Sequence, residues 1–513
     1  MLMNVFSWQS IAQNKNTQKE VKQINLLHAD ILLFDNVSGP GAQRLRGHVK
    51  AEHDGSILKC DSAYLYNDNS IDAFGHVHIN VNDSLDIYGD QLFYDGNTKI
   101  AELHQNVRLI DKKATLFTDD LVYDRKTSIG RYYVWGRIED SVNVLTSKRG
   151  YYYNQIETVY FKDSVVVVNP DYVMQSDTLK YQTSTERVFF TGPTIIEGDS
   201  SFMYAERGFH DTHSKESRLS QNAFVQNKTN ILRGDSIFFS KVLNVSEAFR
   251  NVVMIDTAND VYVTGEHAVY DKNQLFAYMV DSAQAIFADK EDSTFLHADT
   301  LLLKLDSLES PKEIHAFYHM KFFSKSAQGM ADSLVYVFSD SSLQLFGKPF
   351  LWFEENQISC ERIDLISEYG QLDSAAFQQN VFLVSQDTVD PRYFNQVSGS
   401  NMYAWFREGD LRKIFMSAKS ETITFLWEED GSPIGLNKLQ STDMLIFVKD
   451  QQLETITYIN KPTAYLKPLD LVSPSEEKLK GFVWMQEWRP MKREDIFRKK
   501  AQESTDITEE DMN

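Results

Sequence analysis

The chain has little cysteine, little proline and a shortage of basic charge. Its two cysteines, Cys60 and Cys360, share one position of a repeated pattern many repeats apart, so we interpret them as small residues and not as a disulfide or redox pair. Eleven prolines and no low-complexity tract argue against disorder. The net charge of −21, from 52 basic and 73 acidic residues, leaves no basic stripe for nucleic acid or an anionic membrane face.

Motifs of catalysis and of membrane insertion are also missing from the sequence. It has no glycine-rich phosphate loop, no G-x-S-x-G or H-E-x-x-H motif, and no cysteine–histidine pair at catalytic spacing. No apolar run is long enough for a transmembrane helix. We therefore predict no enzyme activity, no catalytic residue, no cofactor and no metal site.

What the sequence has instead is a repeat, in which a small residue precedes an acid every 29 residues. A stack of similar coils requires such a period, because each coil must lie in register on the one before it. The strict copies carry Asp61, Asp90, Asp119, Asp177, Glu206 and Asp235, with Lys148 in the one slot that lacks an acid. Looser copies carry Asp30, Glu266, Asp299, Asp332, Glu361, Ser400 and Asp443.

Two further columns accompany the acid. The residue two positions after it is mostly aliphatic and the residue four positions after it is aromatic or apolar, as in Asp90, Leu92 and Tyr94. After a turn, a second segment alternates apolar and polar residues, as in residues 73–79. Each repeat thus predicts two strands. We predict an all-β, elongated stack of about fourteen two-strand repeats, whose interior is either a packed core or an open V.

The pattern divides the chain into three parts. We interpret residues 1–25 as the remnant of a secretory signal and a linker, with an ordinary floppy terminus as the alternative. Residues 26–465 hold the repeats, whose widening intervals are compatible with two stacked modules that divide near residue 245. Residues 466–513 form a tail that either docks on a partner or caps the last repeat; its marked elements are a short helical segment at 494–497, Trp484 and Trp488.

The acid column and the histidines are predicted to be structural. Stacked carboxylates would repel one another in a dry core, so we expect them to face water or to bond backbone amides at a bend. His48 and His76 occupy equivalent positions, and His78 shares a strand face with His76. No third ligand has a fixed spacing to them, which favours a surface histidine ladder over a metal site.

The repeated module resembles the OstA-like family, the β-jelly-roll of LptA-type lipopolysaccharide-transport proteins. The resemblance covers roughly residues 26–465. The segments that carry it are 89–95 (GDQLFYD), 119–124 (DDLVYD), 176–181 (SDTLKY), 265–271 (GEHAVYD) and, for the second strand, 75–79 (GHVHI).

The resemblance implies an open, V-shaped β-jelly-roll in the periplasm of a Gram-negative cell. Its inner face would shelter the acyl chains of lipid A and leave sugars and phosphates in water. Homologous modules would join end to end, including one in an outer-membrane translocon. This chain has about twice the copies of a single-module bridge protein and lacks the amphipathic strands of the translocon barrel.

The predicted function is therefore a periplasmic bridge that binds and transports lipopolysaccharide, or a similar acylated glycolipid, between the inner and outer membranes. A structural or adhesive β-solenoid with a filled core is the first alternative, and a polysaccharide-active β-solenoid enzyme is the second. The predicted lining of the lipid groove is Leu92, Tyr94, Leu121, Tyr123, Leu179, Tyr181, Val77, Ile79, Val107 and Leu109.

Overall fold

The structure, a computed structural model, describes most of the chain. The described residues are 22–34, 41–81, 85–111, 114–199, 201–228, 230–290, 292–368, 371–408, 410–449 and 452–498. The chain divides into two compact units, Met1–Asp199 (unit 1) and Ser200–Asn513 (unit 2). The predicted signal remnant falls largely on residues 1–21, which lie outside the described residues.

Regular structure over the described ranges consists of β-strands and a few short 3-10 helices, which confirms the all-β prediction. No helix in these ranges is long and apolar enough to cross a membrane. The widening of the repeat pointed to a division near residue 245, whereas the compact units divide between Asp199 and Ser200. The strands on either side of residue 245 pair continuously with each other.

Unit 1 is built from antiparallel strands that alternate apolar and polar residues. The strands are β1 (Asn25–His28), β2 (Ile31–Phe34), β3 (Ala42–His53), β4 (Ser56–Tyr66), β5 (Ser70–Val81), β6 (Leu85–Asp95), β7 (Ile100–Ile110), β8 (Thr115–Asp124), β9 (Ile129–Tyr132), β10 (Gly136–Glu139), β11 (Val144–Ser147), β12 (Arg149–Tyr153), β13 (Thr158–Asn169), β14 (Tyr172–Gln182), β15 (Arg187–Phe190) and β16 (Thr194–Gly198). A 3-10 helix, Asn154–Ile156, precedes β13.

Each long strand of unit 1 belongs to two sheets. Strand β5 pairs with β6 through residues 70–74 and, beyond a bulge, through residues 77–81. Each short strand belongs to only one of the two sheets. Strand β10 pairs with β11 in one sheet, and β9 pairs with β12 in the other. We call the sheet with β10, β11 and β16 sheet A, and the sheet with β9, β12 and β15 sheet B.

The bulge between the two halves of a strand is a corner, and the acid column holds it. The Asp61 carboxylate accepts a hydrogen bond from His76 Nδ1 at 2.8 Å, and the Asp90 carboxylate accepts one from Asn106 Nδ2 at 2.6 Å. His76 and Asn106 have φ of 45° and 51°, a left-handed conformation that redirects the chain from one sheet to the other. Unit 2 repeats this contact in the pairs Glu206–Asn222, Asp235–Asn251 and Asp299–His319.

Unit 2 has the same plan. Its strands are β17 (Ser201–Ala205), β18 (Arg207–Asp211), β19 (Glu216–Asn227), β20 (Asn230–Ser240), β21 (Val245–Asp256), β22 (Val261–Asp271), β23 (Phe276–Val280), β24 (Gln284–Phe287), β25 (Thr294–His297), β26 (Thr300–Leu305), β27 (Pro311–Phe323), β28 (Gln328–Val337), β29 (Ser342–Phe346), β30 (Phe350–Phe353), β31 (Asn356–Ser359), β32 (Arg362–Glu368), β33 (Gln371–Gln386), β34 (Phe394–Arg407), β35 (Asp410–Ser417), β36 (Ser420–Trp427), β37 (Pro433–Ser441), β38 (Asp443–Lys449), β39 (Gln452–Ile459) and β40 (Thr463–Lys467). We call its sheet with β24, β30 and β36 sheet C, and its sheet with β23, β29 and β35 sheet D.

The last repeat of unit 2 corrects the predicted register by one residue. The corner residue there is Thr442, whose amide donates to Asn460 O at 3.0 Å, and not Asp443. Because side chains alternate along a strand, Met444 is fully buried in the core and Phe447 is turned outward and exposed.

Residues 468–498, which we call the strap, return across the outer face of sheet C. Leu479 is buried there with Phe382 and Ile423, and Phe482 packs against the same cluster. The strap contains three 3-10 helices, Leu469–Leu471, Gln486–Trp488 and Arg493–Phe497. The tail therefore does not stop at the last repeat but covers a face of several strands.

Candidate functional site

The ten predicted lining residues all lie in unit 1, on the faces of sheets A and B that point toward each other. Nine of them are buried and Tyr181 is half-buried. The bulge at the acid leaves the residue before it and the second residue after it on the same side, which turns both predicted columns inward. Sheet A carries Val77, Ile79, Val107 and Leu109, and sheet B carries Leu92, Tyr94, Leu121, Tyr123, Leu179 and Tyr181.

The interior of unit 1 is closely packed. A row of directly paired residues along sheet A, including Leu58, Ile79 and Ile87, is buried. A cavity of about 40 Å³ lies between the walls at Tyr94 and another of about 30 Å³ lies at Tyr152. Pockets for small molecules usually measure about 300–1,000 Å³. An alkyl chain therefore enters unit 1 only if the walls separate.

The mouth of unit 1, opposite the corners, is closed by hydrogen bonds from tyrosines of sheet B to the turns of sheet A. Tyr94 Oη lies 2.6 Å from His53 Nδ1, and Tyr152 Oη donates to Asp111 Oδ2 at 2.8 Å. In both pairs the partner precedes the tyrosine by 41 residues. At the same spacing, Tyr181 lies close enough to the Asp140 carboxylate for that charge to raise its pKa, after burial, and we take this contact as the third pair. We call these three pairs the tyrosine seam.

The tyrosines of the seam act as donors. His53 Nε2 lies 2.9 Å from the Lys22 carbonyl, so this nitrogen carries the proton and Nδ1 accepts the Tyr94 hydroxyl. Burial, followed by the charge of Asp111, raises the pKa of Tyr152, and burial, followed by Asp140, raises the pKa of Tyr181. The hydroxyls therefore keep their protons over the physiological pH range.

Arg125 strengthens the seam at its first pair. Its Nη1 donates to Tyr94 Oη at 2.9 Å and to the His53 carbonyl at 3.1 Å. Its Nη2 donates to Ser56 Oγ at 2.7 Å and to the Asp54 carbonyl at 3.1 Å. The Asp54 carboxylate in turn pairs with Lys22 and Lys99, whose hydrogen bonds lower its pKa. One side chain of a sheet B turn thus holds a whole turn of sheet A.

Unit 2 has a different mouth, where the inner walls carry half-buried apolar residues. In sheet C the row of directly paired residues is Met203, Val225, Leu232, Met254 and Val263. In sheet D it includes Phe239, Tyr270, Leu303, Ile314, Tyr336, Leu343 and Leu365. We call the space between these two rows the unit 2 groove.

The floor of the unit 2 groove is dry. The residues one step closer to the corner are buried, among them Ala223, Ile237, Val252, Ala268 and Leu334. The walls above them are partly open to water, whereas most residues of the equivalent rows in unit 1 are buried. Unit 2 carries Phe239 and Leu303 where unit 1 carries seam tyrosines, and these side chains have no hydroxyl with which to close the mouth.

Sequence reasoning placed the groove residues in unit 1 and missed the sheet C wall of unit 2. The residues of this wall, such as Met203 and Val225, lie before or after a corner in strands where apolar and polar residues alternate only weakly. The available signal was the loss of the tyrosine hydroxyl four residues after the acid, at Phe239, Leu303 and Leu365.

The polar groups of the corners form no centre for metal or redox chemistry. No cluster of three or more His, Cys, Asp or Glu side chains that suits a metal ion occurs among the described residues. His48 and His76 bond Asp30 and Asp61 at the exposed corners, and these carboxylates raise the pKa of both imidazoles. Burial raises the pKa of the free Cys360 thiol to about 12, which keeps it unreactive.

Among known protein families, the model for OstA-like protein matches residues 21–177 of the chain. No curated protein matches the chain. One similar solved structure is that of LptH from Pseudomonas aeruginosa, described as the LptA-homologous periplasmic component of a lipopolysaccharide-transport device. The identity is 15%, the match covers 23% of this chain and 82% of LptH, and the TM-score is 0.20, too low for a functional argument.

Unit 1 is thus a stack of bent antiparallel strands whose halves form two facing sheets. The match of residues 21–177 to the OstA-like family model confirms the resemblance for this part of the chain. The match ends in β14, whereas the pattern of paired half-strands continues to β40.

Proposed function

We propose that the protein binds lipopolysaccharide, or a similar acylated glycolipid, in the periplasm of a Gram-negative cell and carries it between the inner and outer membranes. The acyl chains lie between the apolar walls, and the sugars and phosphates stay in water. Burial of alkyl surface stabilises the complex by about 25 cal/mol per Å². The lipid is moved and not altered, so we propose a carrier and not an enzyme.

The unit 2 groove is the observation that carries this proposal. Two facing rows of apolar side chains, above a dry floor, leave a long strip of half-buried hydrocarbon along unit 2. Soluble proteins seldom expose a continuous apolar strip unless it binds something. A strip of aliphatic and aromatic side chains that extends over successive repeats suits a flexible alkyl chain better than a compact ligand.

A structural solenoid with a filled core is the second candidate, and the packed interior of unit 1 favours it. Cavities of about 40 and 30 Å³ are what such a solenoid would have. The half-buried walls of unit 2 argue against it, because a purely structural stack gains stability by closing over them.

The strand edges at the two ends of the repeats support the proposed partners. Phe34 in β2 is 72% exposed and Leu466 in β40 is 54% exposed. Among the described strands, β2 pairs with β3 and β40 pairs with β37, so each has one open side. We propose that homologous jelly-roll modules, including one in an outer-membrane translocon, add their strands at these edges.

The test compares intact lipopolysaccharide with lipopolysaccharide whose acyl chains have been removed, by calorimetry on the full chain. Both ligands have the same sugars and phosphates, so only sheltering of hydrocarbon separates them. We expect the intact lipid to bind with a negative heat-capacity change and the deacylated form not to bind. Equal binding of both forms would indicate surface recognition of sugar, and binding of neither would favour the filled solenoid.

A further inference from the structure

We infer that the tyrosine seam is a gate, which keeps the interior of unit 1 shut in the empty protein and opens to admit an alkyl chain. This inference rests on the proposed function for the identity of the chain that enters. The closing itself is a property of the empty protein. Three contacts at one spacing keep the mouth shut, and the cavities lie beneath them.

The position of the seam suits a gate. Tyr94, Tyr123 and Arg125 line the first cavity, and Asp111, Tyr152 and Tyr181 line the second. The same groups that join the two walls therefore form the roof of the small free spaces between them. Separating the walls at this roof enlarges both cavities, and the corners at the opposite side act as a hinge.

The chemistry of the seam makes it reversible. A hydrogen bond in a folded protein contributes about 0.5–1.5 kcal/mol net, because water or another polar group replaces the lost partner. The contacts of Tyr152 and Tyr181 with Asp111 and Asp140 lie at the mouth, where water and the polar part of an amphiphile are available. Each pair of the seam can thus open separately, so an alkyl chain needs to part only a few repeats at a time.

Tyr123, which lies between Tyr94 and Tyr152 in the repeat, takes no part in the seam. It lies on the inner face of sheet B like the other three tyrosines, but no hydrogen bond from its hydroxyl to sheet A is found within the described residues. The seam is therefore interrupted between Tyr94 and Tyr152. Arg125, with its four hydrogen bonds to the opposite turn and to Tyr94, closes this interval.

The test uses a thiol beneath the seam. Ala101 is 2% exposed and lines the first cavity, so Ala101→Cys places a small reporter on the inner wall. The rate at which a maleimide modifies this thiol in lipid-free protein measures opening of the mouth. The seam variant combines Y94F, Y152F and Y181F, which remove three hydroxyls and keep the rings. The matched control combines Y133F, Y151F and Y160F on the outer face.

We expect the seam variant to react about tenfold faster than the parent or more, and the control variant to react at the parent rate. Equal rates in all three proteins would overturn the gate. Binding of intact lipopolysaccharide is measured on the same variants. A faster reaction without lipid binding would uphold the gate and refute the proposed function, whereas lipid binding with unchanged rates would refute the gate alone.

Discussion

Arg489 of the strap donates through Nε to Gln328 Oε1 of sheet C at 2.8 Å, although 161 residues separate them in the chain. Gln328 belongs to a row of directly paired residues on the outer face of sheet C, between Phe323 and Trp352. Two further glutamines of this row bond the strap backbone: Gln357 bonds Val483 and Met485, and Gln396 bonds Glu477 and Leu479.

The first prediction concerns this row. Gln357 is fully buried, donates to Val483 O at 2.7 Å, and accepts from Met485 N at 2.8 Å. Gln357→Ala removes both bonds and leaves the buried Trp352 Nε1, which donates to Gln357 Oε1 at 3.2 Å, without its partner, which costs about 1–3 kcal/mol. Urea denaturation should show the loss in unit 2, and limited proteolysis should release the strap. The control is Gln371→Ala, at an exposed position of β33, where we expect no change; equal loss in both variants would contradict the role of the row.

The second prediction concerns the packing of Tyr132 inside unit 1. A Cβ atom added at Gly150 would overlap the Tyr132 ring, whose hydroxyl lies 2.6 Å from Ser147 Oγ. Gly150→Ala should therefore destabilise the protein by about 1–3 kcal/mol, as overpacked cores do. Chemical denaturation measures the change.

Gly192→Ala serves as the control for that substitution. The nearest heavy atom to a Cβ there is Asp177 Cβ at 3.7 Å, an ordinary contact. We expect this variant to stay within about 0.5 kcal/mol of the parent. Wild-type stability of Gly150→Ala would show that Tyr132 does not fill the interior as described.

The third prediction concerns pH at the corners. A hydrogen bond from His76 to Asp61 raises the pKa of the imidazole above its ordinary 6.5. Because the folded-state pKa is raised, the pair contributes its full stabilisation below pH 6.5 and loses it as the pH rises through the raised pKa. In an NMR titration of the histidine side chains, Asp61→Asn should lower the His76 pKa toward 6.5. An unchanged His76 pKa would show that the corner bond does not form in solution.

Much of the stack could be predicted from the sequence, because the residues within each repeat determine its strands and turns locally. Leu92 and Tyr94 alternate with polar or outward residues, and the turn residues follow at regular places. The corner could not be placed to the residue from the pattern alone. In the last repeat the backbone amide that bonds across the corner is that of Thr442 and not that of Asp443, and a shift of one residue reverses which side chains face inward.

The strap could not be predicted from the sequence, whereas the residues of the seam follow the repeat. Gln357 and Gln396 look like solvent-facing strand residues, and only a segment far along the chain, with no period of its own, buries them. The seam follows the repeat, since Tyr152 and Tyr181 stand at the same interval from Asp111 and Asp140. The residues of the seam could therefore be found in the sequence pattern. Their contacts could not, because the pattern does not show which turn of sheet A faces which tyrosine.

The most direct test of the central claim places photocrosslinking residues on neighbouring positions that face opposite ways. Tyr94 and Phe239 face inward, whereas their neighbours Phe93 and Phe238 face outward. Irradiation in living cells should link lipopolysaccharide to the inward positions and leave the outward ones unmodified. Absence of adducts at both inward positions in folded, exported protein, or equal adducts on both faces, would contradict transport of acyl chains between the walls.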